Sequence, residues 1–505
     1  MGTSLSSRRG FLKATGVALA TGLVSSRSSL GFGGSVANPR KPGAFPGQSD
    51  SKSADNVLHI AATPIEIAPK RFISTITYNG QFPGPLLRFK EGQPVTVEIH
   101  NGTDTAEQLH WHGQKVPTDV DGAAEEGTPY IPAQGMRRIT FTPRPAGFRF
   151  YHTHNRAGAN LYAGQYSGQV GPVYIEPKSD PGDYDREVVL VLKEFEPSFS
   201  QGGDMPQNFL VPAKVTQLED QGESAMKASL ASGMPHGFEV GYRYFTINGR
   251  MLGHGEPVRV KQGERVLFHI LNGSATEIRS LSLPGHSFKV IALDGNPAPR
   301  QAEVPVLWIG TAERISAIVH MSNPGVWIMG DLDDDDRGHG MGIVVEYAGR
   351  RGKAVWTPPP KPFHWDYSRF ANPGESSAKP DEVIEMTFTK QNAADHGFNR
   401  WAINGSVFPS GSMTPACHLH EGKRYRLHLR NASDDIHPVH LHRHSFELAR
   451  VAGKSMSGVM KDVLMLGGYQ EADLDFTADN PGLTLFHCHQ QLHMDFGFMT
   501  LFDYV

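Results

Sequence analysis

Apolar and polar residues alternate in short segments along this chain, and the same kind of segment recurs three times. The alternating segments are 95–99, 265–270 and 425–429. Alternation with a period of two is typical of β-strands that bury one face, because successive side chains of a strand point to opposite sides. Each segment follows a glycine-containing turn and is closed by an asparagine, and the copies lie roughly 160 to 170 residues apart. The pattern predicts three copies of one β-rich module.

The last strands of the modules can be aligned as well. Residues 146–154 match residues 481–489, and the first stretch has Thr153 between two histidines where the last has Cys488. The corresponding stretch of the middle module, 324–332, has neither the histidines nor the cysteine. We therefore expect metal chemistry in the first and third modules. The middle module is expected to be a spacer or a wall of the substrate site.

The repeats predict an all-β protein built from three Greek-key β-sandwich domains. The predicted domains are 51–178, 179–356 and 357–505, preceded by a segment over residues 1–50. A proline-rich stretch, 357–362, is expected to join the second and third domains as a stiff linker. The stretch 195–241 has weak periodicity and includes a predicted helix around 218–230. A loop near the substrate entrance is one possible role for it.

Composition and charge narrow the class of protein. The 505 residues are 39% hydrophobic and 20% charged, and 55 glycines with 36 prolines favour a turn-rich β architecture. A net charge of −4 and a pI near 6.7 provide no basic patch, which argues against nucleic acid as the main partner. Two cysteines exclude a disulfide framework. If Cys488 is a metal ligand, Cys417 is expected to be a buried free thiol.

The N-terminal segment has the features of an export signal. Residues 7–13 read Ser-Arg-Arg-Gly-Phe-Leu-Lys, and a moderately apolar stretch, 14–24, follows. This is the pattern of a twin-arginine signal peptide, and the alternative is a disordered basic tail. We expect a bacterial protein that the twin-arginine machinery exports in folded form to the periplasm or the cell exterior. Since no other stretch is long and apolar enough to span a bilayer, no stable membrane insertion is expected.

Histidines cluster in four short motifs whose spacing indicates metal binding. A His-x-His pair in a strand projects both imidazoles to one face. The run His487-Cys488-His489 follows a Pro-Gly turn and a run of β-formers, so it is predicted to begin as a strand with Cys488 facing away from both histidines. Two pairs from each outer module would form a cage of eight imidazoles, enough for three copper ions, and a separate trigonal site would remain. The motifs contain His110 and His112; His152 and His154; His437, His440 and His442; and His487, Cys488, His489 and His493.

With these four motifs the sequence resembles the three-domain multicopper oxidases, the laccase-like family, from about Val57 to Val505. The resemblance implies three cupredoxin-like domains and four copper ions. It implies oxidation of a small-molecule donor at a type 1 copper and reduction of dioxygen to water at a trinuclear cluster, with electrons passing through Cys488. The implied ligands are His437, Cys488 and His493 for type 1 copper; His110 and His440 for type 2 copper; and His112, His152 and His489 for one type 3 copper, with His154, His442 and His487 for the other.

The donor and the enzyme class leave alternatives open. Phenolic or aromatic donors are the first expectation, and a metal-ion oxidase that acts on cuprous, ferrous or manganous ions is the second. A copper-free periplasmic structural protein is a third reading, against which the intact ligands argue. Phe498 stands where many bacterial members have an axial methionine, and a non-coordinating residue there tends to raise the copper potential and would favour phenol-like donors. The alternative is that Met499 reaches the copper instead.

For several further residues a functional interpretation competes with a structural one. Asp121 matches a family acidic residue thought to relay protons to the trinuclear cluster, but Asp121-Gly122 is also a turn signal. Arg443 occupies a position where the family often has glycine and would bring a bulky cation close to the copper sites. Structural readings are favoured for the rest: a solvated loop for the aspartates of 331–336, core packing for Met456, Met460 and Met465, and no ligand role for His286, His444 or the run 417–420.

Overall fold

Strands dominate the chain, so the predicted all-β class is confirmed. The computed structural model describes residues 53–179, 183–200, 209–213, 215–230, 237–374, 377–408 and 415–505. Ala54–Val505 forms one compact unit. The predicted export signal in residues 1–50 lies outside the described part of the chain. No helix in that part is long and apolar enough to cross a membrane.

The first module consists of two four-stranded sheets that bury a common core, in which Trp111 is fully enclosed. The sheet orders are β2-β1-β4-β6 and β3-β8-β7-β5. The elements are β1 (Asn56–Ala68), β2 (Arg71–Tyr78), β3 (Leu87–Lys90), β4 (Val95–Asn101), β5 (His110–His112), α1 (Thr118–Asp121), a 3-10 turn (Ala124–Glu126), β6 (Met136–Phe141), β7 (Gly147–His152), a 3-10 turn (Gly164–Tyr166) and β8 (Val170–Glu176).

The middle module has a six-stranded sheet of order β10-β9-β12-β17-β14-β15, a three-stranded sheet β11-β19-β18 and a pair β13-β16. Its elements are β9 (Arg186–Ser200), α2 (Thr216–Leu230), β10 (Glu239–Ile247), β11 (Val258–Val260), β12 (Arg265–Asn272), β13 (Arg279–Leu281), β14 (Phe288–Leu293), β15 (Asn296–Val304), β16 (Leu307–Ile309), β17 (Arg314–His320), β18 (Val326–Gly330), α3 (Asp334–Gly338) and β19 (Gly342–Tyr347).

The third module repeats the two-sheet arrangement. Its sheets have the orders β21-β20-β23-β29-β25-β26, with β27 on β25, and β22-β31-β30-β24-β28. The elements are a 3-10 turn (Tyr367–Phe370), β20 (Glu382–Asp395), β21 (Phe398–Ile403), β22 (Cys417–Leu419), β23 (Arg424–Asn431), β24 (His437–Leu441), β25 (Phe446–Val451), β26 (Lys454–Ser455), β27 (Met460–Lys461), β28 (Val463–Leu466), β29 (Glu471–Thr477), β30 (Thr484–Cys488), α4 (Gln491–Asp495) and β31 (Met499–Tyr504).

The three modules share their strand pairing as well as their sequence pattern. Two parallel pairs recur in each: β1–β4 and β3–β8, β9–β12 and β11–β19, and β20–β23 and β22–β31. The asparagine that closes each alternating segment also has one role throughout. Its side-chain amide donates to a backbone carbonyl a few residues ahead, at 2.8 Å for Asn101, Asn272 and Asn431 alike. This bond fixes the loop that leads into the histidine strand in the outer modules.

Two local expectations from the sequence have clear outcomes. The helix predicted around 218–230 is confirmed as α2, which packs against β20 of the third module. The solvated loop predicted for 331–336 is wrong in part, because Asp333 caps the short helix α3 and Asp331 is buried. Asp336 forms an ion pair with the buried Arg279. Burying that guanidinium requires carboxylate partners, and these aspartates supply them.

Candidate metal centres

Strand β30 separates two polar sites on its two faces. It lies between β24 and β31, with Cys488 opposite Val439 and His487 opposite His440. Cys488 points into the apolar core of the third module, whereas His487 joins a group of imidazoles on the other face. The alternation expected from the sequence is therefore present.

The first centre consists of His437, Cys488 and His493, whose ligand atoms lie within 4.8 Å of one another. Sγ of Cys488 lies 3.3 Å from Nδ1 of His493, and this Nδ1 lies 3.0 Å from Nδ1 of His437. The other ring nitrogen of His437, Nε2, lies 2.9 Å from the Ser433 hydroxyl, which donates to Asn431. Nε2 of His437 therefore carries the hydrogen, and the Nδ1 lone pair faces Cys488 and His493.

Phe498, and not Met499, lies against this first centre. The ring centroid of Phe498 is 4.6 Å from that of His437 and 4.7 Å from that of Phe388, and Phe498 is fully buried. Met499 packs in a separate cluster with Leu485. The side chain nearest the centre at this point of the chain thus has no atom that can coordinate a metal.

Trp401 packs against the ring of His493 and was not singled out from the sequence. Its ring centroid lies 4.1 Å from that of His493, and its Nε1–H donates to Asp435 at 2.8 Å. Lys390 donates to the same carboxylate at 2.8 Å. Burial alone would raise the pKa of Asp435, but the Lys390 ammonium together with His493 and His437 outweighs it, and the pKa lies well below its usual range.

The second centre is a cage of eight buried imidazoles formed by the first and third modules. The rings of His110 and His442 stack with centroids 4.1 Å apart, and those of His112 and His440 with centroids 3.8 Å apart. Each stacked pair thus joins the two modules. The structure brings all eight predicted histidines together: His110, His112, His152, His154, His440, His442, His487 and His489.

Subsets of the cage have the spacing that a metal ion needs. Ligand atoms of His154, His442 and His487 lie within 4.8 Å of one another, and so do those of His110, His440 and His442. The ring centroids of His112, His152 and His489 are 5.0 to 5.6 Å apart.

Many ring nitrogens inside the cage have no hydrogen-bonding partner among the residues that the structure describes. They are Nε2 of His110, Nδ1 of His112, Nε2 of His152, Nε2 of His440, and both nitrogens of His154 and of His489. An unpaired buried polar atom is costly, and a neutral imidazole nitrogen is a good copper ligand. Burial lowers the pKa of His112, His152, His154, His440, His442, His487 and His489, which keeps these rings neutral. The residues present therefore fit a set of copper ions.

Asp121 lies beneath the cage at the end of α1. Its Oδ2 is 3.0 Å from Nδ1 of His110 and 2.9 Å from Nδ1 of His442, so one carboxylate holds a histidine from each outer module. The turn predicted for Asp121-Gly122 is present only in part, because Gly122 ends α1 in the left-handed region at φ 98°. The chain there ends a helix; it does not form a hairpin turn.

Glu126 lies beside Asp121 and was not among the residues singled out by sequence pattern. Its Oε1 accepts from the backbone N–H of Leu485 at 2.7 Å and lies 3.6 Å from Nδ1 of His442. Burial and the neighbouring Asp121 raise the pKa of Glu126 well above its usual range. For Asp121, burial acts to raise the pKa, but His110 and Arg443 outweigh it and the pKa is lowered. The two pKa values are therefore shifted in opposite directions, and Glu126 holds a proton more readily than Asp121 does.

Asp462 is a second carboxylate that reaches the cage. Its Oδ1 lies 3.1 Å from Nε2 of His112, which leaves Nδ1 of that ring facing the cage, and its backbone carbonyl lies 2.7 Å from Nδ1 of His440. The sequence provided no local signal for this residue, since His112 lies 350 positions away.

The structure also locates the remaining residues that were singled out from the sequence. Cys417 was expected to be buried, but it is only half-buried, because it lies in the short edge strand β22. Arg443 adopts φ 59°, and its guanidinium donates to backbone carbonyls of residues 116, 480, 481 and 483. His286 and His444 each bond a tyrosine hydroxyl, on Tyr347 and Tyr504, as structural residues would. Met456 and Met465 pack in the core.

Family models described as "Multicopper oxidase" match residues 59–180, 216–347 and 376–505. Multicopper oxidase MmcO of Mycobacterium tuberculosis is 28% identical over 460 residues, which span 86% of this chain and 84% of that protein. A copper resistance protein A homolog of Pseudomonas syringae pv. tomato is 24% identical, with 90% of this chain and 92% of that protein covered.

Solved structures share the fold at lower identity. A multi-copper oxidase from Pseudomonas thermotolerans has a TM-score of 0.66 and 24% identity, with 90% of this chain and all of that chain covered. Fet3p, described as a multicopper oxidase that functions in iron import, has a TM-score of 0.70 and 20% identity, with 89% of this chain and 90% of that chain covered. At these identities the two structures support a shared fold and nothing more specific.

Proposed function

The chain belongs to the multicopper oxidase family, and we propose that it couples one-electron oxidation of phenolic or aromatic donors to the four-electron reduction of dioxygen to water. The observation that carries this proposal is the pair of buried centres, one with a thiol and one with eight imidazoles, on opposite faces of β30. Four copper ions, when bound, supply the one-electron chemistry at the first centre and the reduction of dioxygen at the second.

The proposed ligand sets follow the two centres. His437, Cys488 and His493 hold type 1 copper; His110 and His440 hold type 2 copper; His112, His152 and His489 hold one type 3 copper, and His154, His442 and His487 hold the other. Cys488 is joined to His487 and His489 by single peptide bonds, so a short covalent path links the centres. Because both centres are buried, the chain also keeps bulk water away from them.

Asp121 is proposed to have a catalytic role, as the group that passes protons into the cage. Reduction of dioxygen consumes protons, and the cage is lined by neutral imidazoles that do not supply them. The carboxylate of Asp121 contacts His110 and His442 directly, and burial beside Asp121 raises the pKa of Glu126 well above its usual range. A purely orienting role for Asp121 is the alternative.

The apolar surroundings of the first centre favour an organic donor. Phe498 offers no ligand atom, and Trp401 covers His493. A partly exposed group of aromatic rings lies next to these residues, where Phe496 stacks on Phe398 with centroids 4.3 Å apart and Phe398 contacts Phe199. Flat aromatic molecules stack well on such rings.

A metal-ion donor is the second candidate. A relative described as a copper resistance protein A homolog favours it, as does the pair Asp434 and Asp435 near the first centre. Lys390, however, forms ion pairs with both carboxylates, so their charge is already compensated. The third candidate, a copper-free structural protein, does not explain why so many buried ring nitrogens lack partners.

The proposal also includes export. The twin-arginine motif of residues 7–13 would direct the folded protein through the twin-arginine machinery to the periplasm or the cell exterior. Replacement of Arg8 and Arg9 by lysine should then leave the protein in the cytoplasm, whereas export of this variant at the wild-type level would contradict the assignment.

Oxygen uptake tests the reaction and the donor together. The copper-loaded protein should consume one dioxygen for every four molecules of a monophenol oxidised by one electron, without releasing peroxide. Turnover of the phenol should exceed turnover of cuprous ion at equal concentration. Faster turnover of cuprous ion would select the metal-ion candidate, and no uptake with either donor would refute the oxidase.

A further inference from the structure

A buried cluster of six charged side chains connects the three modules behind the cage. It consists of Arg149 from the first module, Asp294, Glu313 and Arg314 from the middle module, and Lys461 and Asp462 from the third. All six residues are at most 1% exposed. Three cations balance three anions, so the cluster as a whole is neutral when each group has its usual charge.

We propose that the middle module is a positioning element of the trinuclear centre, with Arg314 and Asp294 acting on the cage through Asp462. This inference rests on the proposed function, because it concerns how the cage histidines are held for copper. It also changes the role expected for the middle module, which the sequence presented as a spacer or a wall of the substrate site.

Asp462 is the member of the cluster that contacts the cage. Its side chain orients His112 through Nε2 at 3.1 Å, and its backbone carbonyl orients His440 through Nδ1 at 2.7 Å. The rings of His112 and His440 are the stacked pair that joins the first and third modules. A shift of Asp462 would therefore turn two rings at once, one on each side of the cage.

Arg314 of the middle module fixes the carboxylate of Asp462. Its Nη1 donates to Oδ1 and its Nη2 to Oδ2, each at 2.6 Å, and Arg149 donates to Oδ2 at 3.1 Å. Such a two-bonded pair sets the direction as well as the position of a carboxylate. Because guanidinium groups and His112 already use both oxygens, Asp462 serves as an orienting acceptor and not as a metal ligand.

Asp294 of the middle module fixes the backbone of Asp462. Its Oδ2 accepts from the N–H groups of Asp462 at 3.3 Å and Val463 at 3.1 Å, and its Oδ1 accepts from the N–H of Arg314 at 2.9 Å. Nζ of Lys461 lies 2.9 Å from the same carboxylate. The carbonyl that orients His440 thus belongs to a residue held at its own N–H and at its side chain.

Gly113 shows how closely this ion pair packs against the first histidine motif. It follows His112 directly and has φ 76°. A Cβ at this position would lie 2.6 Å from Oδ2 of Asp462 and 2.8 Å from Nη2 of Arg314. Within the motif His-Trp-His-Gly, the glycine therefore leaves room for the carboxylate and guanidinium that orient the preceding histidine.

The test compares two variants of the cluster with a matched control elsewhere in the middle module. Asp462→Asn removes the anion at nearly constant shape, and Arg314→Lys keeps the cation but loses the two-bonded contact. Glu194→Gln is the control, because Glu194 forms an equally buried pair with Arg279 and bonds none of the cage histidines. Copper-loaded proteins are titrated with a copper chelator while the type 1 visible band and the type 2 electron paramagnetic resonance signal are followed.

We expect Asp462→Asn and Arg314→Lys to lose trinuclear copper at chelator concentrations roughly 10- to 100-fold lower than wild type, or to show altered type 2 parameters, with the type 1 band unchanged. Glu194→Gln should match wild type in both signals. If Asp462→Asn does not fold, Arg314→Lys decides alone. Wild-type signals and affinity in the cluster variants would overturn the inference, as would an equal loss in Glu194→Gln. A wild-type protein that takes up no copper would overturn the proposed function as well.

Discussion

The ring of Phe498 packs against the imidazole of His437, a proposed ligand of type 1 copper, with centroids 4.6 Å apart. Phe498→Met supplies a thioether at this position. Because an axial thioether stabilises the cupric state, we expect the type 1 reduction potential to fall, by about 59 mV for each tenfold gain in preference for that state. Redox titration of the visible band measures the change.

Met499→Leu is the control for this substitution. Met499 is adjacent in sequence but packs with Leu485 in another cluster, so its replacement should leave the potential unchanged. A rise in the potential of Met499→Leu together with no change in Phe498→Met would mean that Met499 is the residue near the copper.

Asp121→Asn separates proton delivery from simple orientation of the histidines. The amide retains a hydrogen-bonding group but cannot take up and release a proton, so oxygen-dependent turnover should fall by about 10- to 100-fold. Anaerobic bleaching of the type 1 band by the donor should keep its rate, because that step needs only the first centre. Stopped-flow measurements of both steps provide the check.

Asp119→Asn is the matched control for Asp121→Asn, since Asp119 lies on the same short helix with its side chain exposed. It should behave as wild type in both measurements. If Asp121→Asn slows bleaching as much as oxygen reduction, Asp121 only holds the structure together.

Gly122 is needed for the close approach of α1 to the strand that carries His110. A Cβ there would lie 1.9 Å from the carbonyl oxygen of Leu109, and the residue has φ 98°. Gly127 has a similar φ of 92° but open space around it. Gly127→Ala should cost about 1–2 kcal/mol of unfolding free energy from the backbone conformation alone, and Gly122→Ala about 1–3 kcal/mol more from crowding.

Equilibrium unfolding in urea measures both variants. Gly122→Ala should also weaken copper binding in the cage, because His110 would have to move with its strand. Equal stability of the two variants would show that the backbone at Leu109 can move to make room for the Cβ at little cost in free energy.

Arg443 stabilises the fold although its backbone is in the left-handed region. Glycine at φ 59° would relieve about 1–2 kcal/mol of conformational cost. It would also remove hydrogen bonds to four backbone carbonyls and to Thr484, worth about 0.5–1.5 kcal/mol each. Arg443→Gly should therefore lower the unfolding temperature. A higher unfolding temperature would mean that backbone strain outweighs these bonds.

Local pattern was enough to predict much of the fold and most of the candidate ligands. Period-two alternation placed Cys488 and His487 on opposite faces of one strand, and the repeat identified which modules carry histidines. Local pattern could not predict the residues that orient those histidines. Asp462 and Arg314 are 148 positions apart and meet only because the sheets of two modules pack together. Cys417 was misjudged for a related reason, since burial depends on whether a strand lies at a sheet edge.

Copper content and the visible spectrum test the central claim most directly. Wild-type protein loaded with copper should bind four ions per chain and show an intense visible band from the Cys488 thiolate bonded to copper. Cys488→Ser should lose this band and one copper ion while the type 2 signal of the cage persists. A wild-type protein that stays colourless and copper-free after loading would contradict the account.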